Sequence, residues 1–167
     1  EQRDGQWVLR QPVTSGYRLP TEGEWELGAR YAGAERKTKR YDWGDTLPPP
    51  AGSANLAGGE AATSLPTVLE AWQDDYPAVA PVGKFAPNAL GLQDMVGNVT
   101  EWVQDFYASY DTPSSSTDYL GPASGSRHVI KGSSWRTATY AELRAAWRDG
   151  AEVATQEIGF RVARYAE

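Results

Sequence analysis

Only one stretch of this 167-residue sequence announces a helix, and that scarcity constrains the fold more than any other feature. In Leu19-Pro20-Thr21-Glu22-Gly23-Glu24 the Thr21 hydroxyl can accept from the Glu24 amide while the Glu24 carboxylate reaches back, a reciprocal capping box. The predicted helix runs through Trp25, Leu27, Ala29 and Tyr31 and stops at Gly33. Elsewhere 17 glycines and 11 prolines break any long period. Residues 127–132 and, more cleanly, 159–164 alternate as strands do. Residues 140–147 have helix-forming composition, with a strand-turn reading open beside it. Residues 67–72 suit one helical turn, 92–107 read as short turns, and 47–52, 51–64 and 112–126 read as loops. Residues 34–40 form a charged surface link. No repeat is present, so the sequence reads as one α+β domain with much irregular backbone.

Composition then removes whole classes of chemistry. There is no cysteine, so disulfides, zinc ribbons, iron–sulfur clusters and thiol nucleophiles are excluded. A single histidine, His128, excludes two-histidine zinc and iron sites supplied by this chain alone. The formal net charge of −6 gives no basic footprint for nucleic acid. No apolar run approaches the ~20 residues that span a bilayer. The opening Glu1-Gln2-Arg3-Asp4 has no signal-peptide layout and reads as a cut inside a longer protein.

Oxygen ligands, in contrast, are plentiful, and hard oxygen donors suit Ca²⁺. One cluster is Asn55 and Leu56 with Asp74, Asp75 and Tyr76. The other runs from Asp94 through Gly97 and Val99 to Glu101, a tight loop with carboxylates at both ends. Ordinary acidic surface loops remain the alternative for both. His128 with Ser133 or Ser134 lacks the context of a catalytic arrangement and reads as a structural residue. Asn98-Val99-Thr100 matches a glycosylation sequon in an apolar-flanked loop. Arg136, Tyr140, Arg144, Trp147 and Arg148 form an arginine/aromatic group, equally compatible with a ligand surface and with salt bridges to the acidic loops.

The motifs taken together resemble the formylglycine-generating enzyme family, also called sulfatase-modifying factors. Residues 17–26 (Tyr-Arg-Leu-Pro-Thr-Glu-Gly-Glu-Trp-Glu) carry the strongest likeness. Tyr41-Asp42-Trp43-Gly44-Asp45, Ala54-Asn55-Leu56, Asp94-Met95-Val96-Gly97-Asn98, Lys131-Gly132-Ser133-Ser134-Trp135 and Ile158-Gly159-Phe160-Arg161 follow in the family's order. The resemblance covers residues 16–165 and implies a C-type lectin-like fold with short strands, few helices and bound calcium.

Carried over position by position, one calcium site would use Asn55, the Leu56 carbonyl, Asp74 and the Tyr76 carbonyl. The other would use Asp94, the Gly97 and Val99 carbonyls and Glu101. The resemblance thus implies one or two Ca²⁺ ions and, because Thr137 and Glu142 stand where the family's copper-binding cysteines belong, no copper. It further implies that residues 1–167 form a single domain lacking its N-terminal portion. Related variable proteins of diversity-generating retroelements display a hypervariable surface in the interval corresponding to residues 136–157. The resulting expectation is a non-catalytic module that binds a protein or small ligand through Arg136, Thr139, Tyr140, Trp147 and Arg148. The alternative is an oxidoreductase or non-haem iron enzyme whose metal ligands lie outside this chain.

Overall fold

The helix begins where the capping box places it. In the computed structural model, which describes residues 16–31, 38–109 and 121–165 in full and the backbone of 2–3 and 6–7, α1 spans Glu22–Arg30. The Glu24 amide donates to Thr21 Oγ1 at 3.1 Å, and the Thr21 amide donates to the Glu24 carboxylate at 2.9 Å. The helix ends before the predicted Gly33, which lies outside the described residues. Tyr31 is extended because it pairs with Thr38 in an antiparallel bridge, and the Lys39 amide donates to the Arg30 carbonyl at 2.9 Å. Tertiary pairing therefore stops the helix.

Two short strands, β1 (Gln2–Arg3) and β2 (Gln6–Trp7), pair antiparallel. The main sheet holds β3 (Thr100–Phe106), β4 (His128–Lys131), β5 (Arg148–Ala151) and β6 (Ile158–Phe160) in the order β5-β4-β3-β6. β3 runs antiparallel to β4 and parallel to β6, and β4 runs antiparallel to β5. The strand predicted over 127–132 is present as β4, whereas the one predicted over 159–164 is shifted and shorter: β6 ends at Phe160, and beyond it only Ala163 pairs, in an isolated bridge with Arg18. β3 and β5 were not predicted. Residues 140–147 form turns, with the Ala145 amide donating to the Arg40 carbonyl at 2.9 Å. That long-range bond holds the segment open against its helical composition. In place of the helical turn expected over 67–72, residues 69–72 make a hydrogen-bonded turn, closed by the Trp72 amide on the Leu69 carbonyl at 2.8 Å, because Leu69 pairs with Gly58 in a bridge.

α1 packs on β3 and β4 through Trp25 and Ala29, which meet Met95, Val103, Val129 and Ala145. Tyr41, Ala54, Leu56, Trp72, Val96 and Leu143 build a second core. Fully burying one such apolar side chain is worth roughly 1.5–3 kcal/mol. These two cores, not the short strands, carry the irregular loops. No helix among the described residues is long and apolar enough to cross a membrane.

Candidate functional site

The two oxygen-rich clusters lie back to back. The Asn98 amide donates to the Asn55 carbonyl at 2.8 Å, and Asn55 Nδ2 reaches Asn98 Oδ1 at 3.3 Å. The close approach needs Gly97, whose φ is +80° and where a Cβ would lie 2.4 Å from the Asn55 carbonyl oxygen. No other residue fits there without displacing one loop from the other.

In the first cluster Asp74 acts as a hub. Its carboxylate accepts from the Leu56 amide at 2.8 Å, Trp72 Nε1 at 2.8 Å and the Tyr76 amide at 3.0 Å. Those bonds fix its oxygens beside residues 55–60. Asn55 is wholly buried, and its Oδ1 has no hydrogen-bond partner. Both Glu60 carboxylate oxygens are likewise buried and unpartnered. The Glu60 carboxyl is held above the usual carboxylate range, first by burial and then by the neighbouring Asp74. Orphaned buried oxygens on Asn55 and Glu60 are of the hard donor type that a cation such as Ca²⁺ takes, and an unpaired buried oxygen is costly to leave bare. Glu60 is absent from the sequence-based ligand set. Its signal lay in Gly58-Gly59-Glu60, where a short 3₁₀ turn at Gly59–Ala61 brings the side chain back toward Gly58.

The second cluster is differently occupied. Asp94 Oδ1 is buried without a partner, while Oδ2 accepts from the Gly83 amide at 2.7 Å. Both Glu101 oxygens are engaged, however. Oε2 accepts from Trp25 Nε1 and Arg161 Nε, both at 2.6 Å, and Oε1 accepts from Arg161 Nη2 at 2.7 Å. The same guanidinium donates to the Gln93 and Asp94 carbonyls at 3.1 and 3.2 Å. The positive charge facing Glu101 is already Arg161, so a second cation there has to displace it. Among the described residues no group of three or more acidic or histidine side chains gathers around one point. Amide and carbonyl oxygens would have to complete either coordination shell.

Of the arginine/aromatic group, Arg136, Thr139 and Tyr140 are exposed and Trp147 is half-buried. Arg136 lies over the Trp135 ring and pairs with Glu157 at 3.4 Å. Arg148 points the other way: it grips Glu22 at 2.7 and 3.0 Å and donates to the Ala108 carbonyl at 2.7 Å. It ties β5 to the start of α1. Thr137 is buried and its Oγ1 accepts from the Ser134 amide at 3.1 Å, a turn contact. Ser133 Oγ accepts from the Gly97 amide and Ser134 Oγ from the Arg136 amide. His128 faces the Gln104 carbonyl at 3.2 Å and packs on Phe106, which agrees with its reading as a structural residue. Asn98 is buried with its side chain bonded, so the sequon is closed to modification in the fold.

The model of the sulfatase-modifying factor enzyme 1-like domain matches residues 5–166. The chain belongs to this family. The sulfatase-modifying-factor domain is 38% identical over 126 residues to the formylglycine-generating enzyme of Thermomonospora curvata, covering 72% of the chain and 39% of that protein. It is 36% identical over 121 residues to the inactive C-alpha-formylglycine-generating enzyme 2 of Bos taurus, covering 72% of the chain and 33% of that protein. The solved Treponema denticola variable protein 1 matches with a TM-score of 0.70 at 30% identity, over 88% of this chain and 47% of that one. The domain therefore spans less than half the length of these relatives. Its fold is the C-type lectin-like fold of the formylglycine-generating enzyme type.

Proposed function

We propose that this domain is a non-catalytic binding module, steadied by calcium at the first cluster, that presents the surface of Arg136, Thr139, Tyr140 and Trp147 to a protein or small ligand. The observation that carries this reading is the pairing of a family scaffold matched over residues 5–166 with no cysteine anywhere in the sequence. Thr137 and Glu142, at the positions where the resemblance places copper thiolates, cannot bind Cu(I) as a soft thiolate does. The side chain of Thr137 instead serves a turn. Thr139 and Tyr140 are exposed beside Arg136, whose pairing with Glu157 leaves its guanidinium half-exposed, whereas Arg148 is engaged with Glu22 and is set aside as a positioning residue.

Asn55, Asp74, Glu60 and the Leu56 and Tyr76 carbonyls would hold the ion. Two carboxylates among neutral oxygens match the charge of one divalent cation. A bound ion would screen the Glu60–Asp74 repulsion and partner the orphaned Asn55 oxygen. Arg161 occupies the cation's place beside Glu101, which favours one ion over two.

Two measurements test the reading. Calcium added to chelator-treated protein is expected to stabilise it by about 2.7 kcal/mol at a hundredfold excess over the dissociation constant. Asp74→Asn and Glu60→Gln are expected to abolish most of that gain. Absence of any thermal shift, with no metal retained by the untreated protein, would end the calcium proposal. Separately, the full-length protein given a Cys-x-Pro-x-Arg peptide, oxygen and copper is expected to form no aldehyde. Robust turnover would overturn the non-catalytic reading.

A further inference from the structure

A cavity of about 370 Å³ is lined among others by Lys39, Asp42, Trp43, Pro50, Ser53 and Asn88, none of them in either oxygen cluster. Its volume falls in the range of small-ligand pockets. Two buried side-chain oxygens in its lining have no hydrogen-bond partner. Asp42 is 5% exposed and its Oδ1 has no partner; Ser53 is 8% exposed and its Oγ has none. Buried oxygens are rarely left in this state, and each such group calls for an explanation. The polar side-chain atoms of Trp43 and Asn88 are engaged within the protein. Trp43 Nε1 donates to the Thr46 carbonyl at 3.0 Å. The Asn88 side chain donates to the Gly28 carbonyl and accepts from the Leu90 and Leu92 amides. The Trp43 ring is itself fixed, stacked on Tyr41 at 4.9 Å with the planes within 4°.

We propose that this cavity binds a small zwitterion of the amino-acid type, its ammonium on Asp42 and Ser53 and its carboxylate toward Lys39. An anion alone would meet the Asp42 carboxylate. A bare cation would meet the positive potential of Lys39 and, from farther off, Arg161, both of which act on Asp42. A ligand with both charges satisfies each end. The Trp43 ring and the Pro50 wall then offer an apolar body a surface to lie against.

Asp42 is the informative residue because its ionised form is poorly housed without a ligand. Burial pushes its carboxyl up to about 7, against the pull of Lys39 and Arg161. A native value raised above the unfolded one contributes stability that is full below the unfolded value, near 3.8, and lost as pH rises through about 7. Asp42→Asn removes that loss. The variant is therefore expected to be at least as heat-stable as the parent at about pH 8, with the gain vanishing toward about pH 4.

Calorimetric titration of the full chain near neutral pH uses three probes: L-phenylalanine, 2-phenylethylamine and 3-phenylpropionate. Phenylalanine is expected to bind, and each half-ligand to bind about tenfold or more weakly. Asp42→Asn and Lys39→Met are each expected to weaken phenylalanine by about tenfold, and Ser53→Ala by less. Absence of heat with all three probes overturns the proposal. So does equal affinity for the amine and the amino acid, or undiminished binding by the folded Asp42→Asn variant. A chelator is expected to leave binding unchanged, which separates this site from the calcium reading.

Discussion

Glu101→Ala is expected to cost about 3–5 kcal/mol of folding stability, because it removes one partner of a buried charge pair. Glu101 is 5% exposed and receives three hydrogen bonds, two from the Arg161 guanidinium and one from the Trp25 indole. Without it, a largely enclosed guanidinium keeps the Gln93 and Asp94 carbonyls, and the buried Trp25 indole N–H loses its carboxylate acceptor. The melting temperature is expected to fall by on the order of 10 °C. Glu101→Gln, which retains acceptor capacity but not charge, should fall between the parent and the alanine variant. Unfolding measured in chelator excludes any contribution from a bound ion. A loss below about 1 kcal/mol, the size of an ordinary surface pair, would show that the Glu101–Arg161 pair is not a structural keystone.

Glu22→Ala ranks second, at about 3 kcal/mol or somewhat more. Glu22 is buried in the first turn of α1, where negative charge also favours the helix dipole. It pairs with Arg148 at 2.7 Å and lies 3.7 Å from the ammonium of Lys131, which is completely buried. Burial already holds the Lys131 amine below its usual value, opposed by Glu26 and Glu22. With Glu22 gone, Lys131 retains Glu26 at 3.3 Å and the Trp25 ring at 5.5 Å, while Arg148 loses both of its carboxylate contacts. Adding Lys131→Met to Glu22→Ala should therefore cost less than the sum of the single changes, with a coupling of about 1–3 kcal/mol. Strict additivity in denaturant unfolding would argue that the two side chains do not share one charge network.

These same residues explain what the sequence could and could not disclose. The capping box is local, so Thr21 and Glu24 announced α1 without help. The apolar Val129-Ile130 pair made β4 readable, and β6 was found only at its Gly159-Phe160 part, since the strand stops at Phe160. β3 was not, because its inward face is Glu101, Val103 and Asp105 while Trp102, Gln104 and Phe106 are only half-buried. Judged by hydrophobicity, that pattern points the strand the wrong way. The groups that make it possible are Arg161, the Trp25 indole and the Glu22 amide on Asp105, and all are distant in sequence. The Asn55–Asp74 grouping was legible from its oxygen content. Glu60 was not, since only the turn after Gly58 brings it there. The pocket around Asp42 and Ser53 gave no signal, because an acid and a serine eleven positions apart look like ordinary loop residues.

The parallel pairing of β3 with β6 bears on how the protein is made. Glu101 and Arg161 are 60 residues apart, with β4 and β5 between them. During synthesis β3, β4 and β5 emerge first and can form hairpin-like contacts, but the Glu101 carboxylate then still lacks its guanidinium. That carboxylate stays without its charge partner until residues 158–161 arrive. Such remote closure slows folding, since the loop entropy is spent before the contact that rewards it. Of the four strands of this sheet, the one made last is therefore the one followed by the guanidinium that Glu101 needs, and a nascent chain stalled before it would hold a buried carboxylate without its partner.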